Sequence, residues 1–66
     1  MNIYAEKGTR VVFTGEGGYD SDRDFARKMG LNEGETYTVS KTRVENWVSY
    51  VTLVGYDGEF NTTMFS

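Results

Sequence analysis

The chain contains no cysteine, no histidine and no proline. Without cysteine it can form neither a disulfide nor a thiolate metal site, and without histidine it lacks the commonest metal ligand and proton shuttle. Nucleophilic catalysis by Ser–His or Cys–His pairs is excluded for the same reason. The fold must therefore be stabilised by packing, and 66 residues allow one small core.

Charge and hydropathy narrow the class of protein further. The net charge of −3 and the isoelectric point of about 4.7 disfavour binding to phosphate backbones, which requires clustered lysine and arginine. No apolar run approaches the ~20 residues of a membrane span, and no basic N-terminal region is followed by an apolar one. These features predict a single cytoplasmic domain over residues 1–66 with no membrane partner.

β-forming residues and turn residues alternate along most of the chain. The pattern predicts strands over residues 10–14, about 36–43, 47–54, 59–61 and 64–66, with one tight helical turn at 61–63. Gly34 supplies the turn before the second of these strands. Side chains two apart share a strand face, and this alternation predicts a core made of Val11, Phe13, Leu31, Tyr37, Val39, Val51, Leu53 and Phe60.

Residues 21–29 have the features of a short helix. Ser21 is the predicted N-cap, with Asp24 three residues on, and Gly30 suits the position just past the C-terminus. Phe25 and Met29 are four apart and form one apolar stripe. We expect this stripe to dock over one open end of a small barrel.

Two runs have the composition of ligand sites but fail at the required positions. Residues 15–18 contain three glycines, yet Asp20 stands where a phosphate-binding pattern needs glycine, so a turn is the better interpretation. Residues 20–24 match the start of a calcium loop, but Phe25 and Leu31 stand where glycine and glutamate are needed. The sequence therefore predicts no metal and no cofactor.

The carboxylates show no sign of a catalytic role. Glu33 and Glu35 flank a turn, and no acidic residue lies in an apolar run that would raise its pKa. A barrel of this size also lacks room for a deep pocket of ~300 Å³ or more. The sequence predicts a protein that is not an enzyme.

The second half of the chain resembles an SH3-type small barrel. The first motif of that family is an apolar anchor followed by a Gly-acid turn and a strand, seen here as Leu31-x-x-Gly34-Glu35-x-Tyr37-x-Val39. The second is a glycine, a buried apolar residue, a one-turn helix and a final strand, seen here as Gly58-x-Phe60-x-x-x-Met64-Phe65. With the strand spacing, the resemblance implies a mainly β fold, a five-stranded SH3-like barrel with one short α-helix inserted after the first strand. Asn61 and Met64 stand where the family's groove has proline and tyrosine, which argues against recognition of proline-rich peptides.

Trp47 has two interpretations. Counted back from Gly58, the groove tryptophan of SH3 domains would fall nearer Val48, while alternation places Trp47 on the face of Val51 and Leu53. The sequence leaves open whether the ring caps the core or lies at the surface.

A second resemblance involves the runs Gly17-Gly18-Tyr19-Asp20 and Phe60-Asn61-Thr62-Thr63-Met64-Phe65. Both are similar to segments of short uncharacterised proteins of bacteria and tailed phages. This resemblance implies no particular activity.

The five tyrosines and the single tryptophan predict a non-catalytic protein-binding module, because these residue types dominate interface hot spots. Tyr19 and Tyr56 occupy loop positions and form the expected centre of an exposed patch with an acidic rim. The candidate residues are Tyr19, Trp47, Tyr50, Tyr56, Asp20, Asp57 and Glu59.

The sequence leaves two other functions open. The alternative is a phage-type inhibitor whose acidic face competes with nucleic acid for a host enzyme. Direct nucleic-acid binding ranks third, since the only basic strip would be Lys7, Arg10, Lys41 and Arg43. The identity of the partner and the oligomeric state are not specified by the sequence.

Overall fold

Four antiparallel strands form one sheet in the computed structural model, which describes residues 1–66. The strands follow one another in the sheet in chain order and are β1 (Arg10–Val12), β2 (Thr36–Val44), β3 (Ser49–Leu53) and β4 (Phe60–Asn61). Each strand is rich in β-branched or aromatic residues, as the sequence pattern indicates. The predicted mainly β architecture is confirmed.

The long strand β2 has two different neighbours. Residues 36–38 pair with β1, whereas the pairing with β3 begins at Val39 opposite Leu53. The register then shifts between Val39 and Lys41, so that Lys41 lies opposite Thr52. Such a bulge bends a strand and increases its local twist, which lets one strand turn from one partner to the next.

The predicted fifth strand and closed barrel are not present, and the four-stranded sheet is open. Residues 62–64 form a 3₁₀ turn, which leaves only two residues after it. Those two make a single bridge between Phe65 and Phe13, flanked by reciprocal backbone hydrogen bonds of 3.1 and 2.9 Å between Val12 and Ser66.

The helix α1 (Asp20–Lys28) starts and ends one residue earlier than the sequence predicted. Its start is determined by Asp22, whose Oδ2 accepts a hydrogen bond of 2.9 Å from the backbone N–H of Tyr19. Ser21 is therefore not the N-cap. At the other end Gly30 has φ +94°, and the N–H of Leu31 donates to the carbonyl of Ala26 at 3.0 Å. This termination, predicted from Gly30, directs Leu31 into the core.

The core contains all eight residues that alternation predicted and three more, Ala26, Met64 and Phe65. Ala26 is the one fully buried residue of α1, while the predicted stripe residue Phe25 stays 38% exposed and stacks at 5.5 Å on Phe60. Phe65 is buried because its bridge to Phe13, the residue that follows β1, places the two rings 5.5 Å apart. The helix thus covers the sheet with a small residue at its centre and Phe25 at its margin.

The nine-residue helix α1 carries three aspartates, and no helix of the structure is long and apolar enough to cross a membrane.

Candidate functional site

An open groove with a volume of about 480 Å³ lies between the β2–β3 hairpin, the loop before α1 and the 3₁₀ turn. It is larger than the sequence led us to expect, because it is formed between elements rather than inside the sheet. The apolar side chains that line it are Ile3, Tyr19, Val44, Trp47 and Val48. Polar groups from Asn46, Ser49, Asn61, Thr62 and Thr63 line the rest, together with Gly18 and the carboxylate of Glu45.

Trp47 lies at the tip of the hairpin and is 97% exposed. The turn is closed by a hydrogen bond of 2.8 Å from the N–H of Glu45 to the carbonyl of Val48. Strand β3 starts only at Ser49, so the alternation that would place Trp47 beside Val51 does not extend to it. Trp47 is therefore a surface residue and does not cap the core.

The outer side of the hairpin is held by Arg43. Its guanidinium donates to the two carboxylate oxygens of Glu59 at 2.8 and 3.0 Å, pairs with Glu45, and lies 4.6 Å above the ring of Tyr50. The hydrogen bond with Glu59 raises the pKa of Arg43, and the same bond lowers the pKa of Glu59. Tyr50 and Glu59 are thus engaged within the protein and do not line the groove.

Hydrogen bonds accepted by the Asp22 and Asn61 side chains order the floor of the groove. The Asp22 carboxylate accepts from the Tyr19 N–H and, at 3.2 Å, from the side-chain amide of Asn61. The amide oxygen of Asn61 in turn accepts from the N–H and the hydroxyl of Thr63 at 3.0 and 2.7 Å. These bonds tie the start of α1 to the 3₁₀ turn, so Tyr19 and the groove floor keep one relative arrangement.

The glycine-rich segment over residues 15–18 is a turn, as predicted, and it packs directly against the 3₁₀ turn. Gly17 has φ +78°, and a Cβ at this position would lie 2.6 Å from the carbonyl oxygen of Thr63. A larger residue would push these backbones apart. The close approach brings Gly18 and Tyr19 to the groove.

Of the four predicted aromatic residues, the structure brings two into the groove. Tyr19, which is 75% exposed, lines the groove from the loop before α1, and Trp47 lines it from the β2–β3 turn. Tyr56 is half-buried, packs against the core and meets the ring of Tyr37 edge-on at 5.4 Å. The structure therefore does not bring Tyr19 and Tyr56 together in the groove, whereas Tyr19 and Trp47 both line it.

The acidic rim also differs from the predicted one. Asp20 pairs with Arg23, and Asp57 is exposed outside the groove. Glu45, which the sequence did not single out, is the one carboxylate in the lining. The hairpin residues Val44 and Val48 were also missed, although apolar residues on both faces of the predicted third strand were a signal that this region is covered.

The fold and the groove together define a small, mainly β protein with one helix and an open aromatic cleft beside a hairpin. The chain belongs to the family described as bacteriophage T4 protein Y07B, whose family model matches residues 2–66. No curated protein and no solved structure matches the chain significantly. The similarity to short phage proteins is confirmed at the level of this family.

Proposed function

We propose that the protein is a non-catalytic binding module that docks a partner protein on the groove between Tyr19 and Trp47. The observation that carries this proposal is the 97% exposure of Trp47, the most exposed of the large apolar side chains, in one groove with Tyr19. A tryptophan buries roughly 150–250 Å² in a contact, which is about 4–6 kcal/mol of gross hydrophobic stabilisation before the cost of association. Tyrosine and tryptophan are also the residues that dominate interface hot spots.

The rigidity of the groove supports the same proposal. The Asp22–Asn61 hydrogen bond and the contact of Gly17 with the 3₁₀ turn fix its floor. The Arg43 ion pairs brace the hairpin that carries Trp47. A surface that is ordered before binding loses less conformational entropy when a partner docks.

We also propose that the strands of the sheet are arranged as in an SH3-like domain. It is supported by the 3₁₀ turn between β4 and the last residues, and by the bridge that returns Phe65 to Phe13 of the first strand region. Slow hydrogen exchange of the Val12 and Ser66 amide protons, which make the two backbone hydrogen bonds beside this bridge, is the expected result.

Capture of partners from a lysate of the bacterium in which the phage multiplies tests the proposal. We expect the immobilised wild-type chain to retain a protein that the variant Tyr19→Ala/Trp47→Ala does not. The matched control is Tyr4→Ala/Val54→Ala, which removes exposed apolar side chains outside the groove. Both variants should keep their stability to within about 0.5 kcal/mol, since all four side chains are exposed.

Retention of the same protein by both variants would overturn the proposal. Binding that then weakened steeply with salt would favour the alternative, an inhibitor whose acidic face competes with nucleic acid for a host enzyme. The structure favours the groove over that alternative because Asp20 and Glu59 are already paired with arginines.

A further inference from the structure

The lining of the groove contains one charged side chain, Glu45, and no lysine or arginine. The carboxylate of Glu45 pairs with Arg43, but this guanidinium also makes two hydrogen bonds to Glu59. Arg43 is therefore shared by two carboxylates, and Lys41 also lowers the pKa of Glu59. A cationic group placed in the groove would share Glu45 with Arg43 and would meet no lysine or arginine in the lining itself.

The opposite side of the groove has the same sign of charge. Arg23 donates to the carbonyls of Gly17 and Gly18 at 2.7 and 2.9 Å and pairs with Asp20. The neighbouring Asp22 accepts only from neutral donors, the N–H of Tyr19 and the amide of Asn61. Four carboxylates around the groove thus face two guanidinium groups and the ammonium group of Lys41 near Glu59, which leaves one net negative charge.

The two exposed rings add a second attraction for a cation. Aromatic faces attract ammonium and guanidinium groups, and tryptophan does so most strongly. On the same hairpin Arg43 lies over Tyr50 at 4.6 Å, whereas no cation of the chain covers Tyr19 or Trp47. The two rings and Glu45 line one open groove together.

From this juxtaposition we infer that the groove selects a partner segment carrying a lysine or arginine, whose head group contacts the Tyr19 and Trp47 rings and pairs with Glu45. The inference rests on the proposed function and names the chemistry of the docked segment. Phosphate backbones and acidic peptides are disfavoured by the same net negative charge. A second copy of this chain, with its net charge of −3, is disfavoured as well.

Trp47 is the only tryptophan, so its fluorescence reports directly on the groove. The probes are three capped pentapeptides in which the central residue lies between two leucines. The central residue is arginine in the first peptide, its neutral isostere citrulline in the second and glutamate in the third. At low ionic strength we expect a saturable fluorescence change with the arginine peptide and binding about fivefold or more weaker with the citrulline peptide. The glutamate peptide should bind more weakly still, and added salt should reduce the binding of the arginine peptide.

The variant Glu45→Gln isolates the charge. We expect it to bind the arginine peptide about threefold or more weakly and to leave citrulline binding unchanged. Glu35→Gln is the matched control, since it removes the same charge from an exposed site outside the groove. Tyr19→Ala keeps the fluorescent reporter and should also weaken binding of the arginine peptide.

Equal binding of the arginine and citrulline peptides, an equal effect of both glutamine variants, or no saturable change with the arginine peptide would each overturn the inference. If the Tyr19→Ala/Trp47→Ala variant nevertheless fails to capture the partner protein, the groove binds proteins without selecting a cation. In that case the inference about the cation is wrong and the proposed function stands. If the partner is retained by that variant, the proposed function falls first.

Discussion

The replacement Val51→Ala tests the packing on which the groove depends, and Val54→Ala is its matched control. Val51 is fully buried in β3, whereas Val54, three residues later, is 54% exposed. Each change removes the same two methyl groups. At about 0.8 kcal/mol for each buried carbon, transfer alone predicts a loss of about 1.6 kcal/mol at Val51, and the residual cavity raises this to about 2–3 kcal/mol. The loss at Val54 should stay within about 0.5 kcal/mol.

Unfolding in urea, followed by far-ultraviolet circular dichroism, measures the two losses. Fluorescence is less suitable, because Trp47 is already exposed in the folded state. For so small a chain the free energy of unfolding falls by about 1 kcal/mol per molar urea, so Val51→Ala should lower the midpoint by about 2 M or more. Equal midpoint shifts for the two variants, or a loss at Val51 below about 0.5 kcal/mol, would show that the assigned core face of β3 is wrong.

Two further predictions concern the elements that shape the groove. Gly17→Ala should destabilise the fold by about 1 kcal/mol more than its control Gly8→Ala. Both positions have positive φ, but only the Cβ at Gly17 would meet the Thr63 carbonyl. Equal urea midpoints for the two variants would contradict this prediction. Because hydrogen bonds from Arg43 lower the pKa of Glu59, the stabilising contribution of this pair is complete above the ordinary glutamate pKa of 4.5 and is lost as the pH falls through the lowered value. The stability difference between wild type and Glu59→Gln, measured by urea unfolding between about pH 6 and pH 3, should therefore shrink on acidification, and a constant difference would count against the pair.

Local patterns predicted most of the fold. The spacing of two residues between Tyr37 and Val39, and between Val51 and Leu53, identified the buried side of the sheet, because a strand presents alternate side chains to opposite faces. Gly30 marked the end of α1, since a left-handed residue at that position satisfies the last carbonyls of the helix. Such signals involve residues that are neighbours in the chain, and element boundaries followed to within one or two residues.

The number of strands was predicted less well. The apolar composition of residues 64–66 is typical of a strand, yet the 3₁₀ turn already includes Met64, and one bridge to Phe13 is all that follows. The start of β3 was misplaced in a similar way, because Trp47 and Val48 have high β propensity but belong to the turn that Glu45 closes. In both cases hydrogen bonds outweighed propensity.

The sequence by itself determined which residues pack inside, where the helix ends and that no disulfide or histidine chemistry is available. Only the tertiary structure decided the groove, because Ile3, Tyr19, Trp47 and Thr63 come from four segments of the chain that are brought together by the sheet, the helix and the 3₁₀ turn. It also decided that Tyr56 packs on Tyr37 while Trp47 stays exposed, since a ring's exposure depends on which distant side chains reach it. Hydrophobic periodicity and secondary-structure propensity describe a residue's own segment and carry no information about contacts with distant segments.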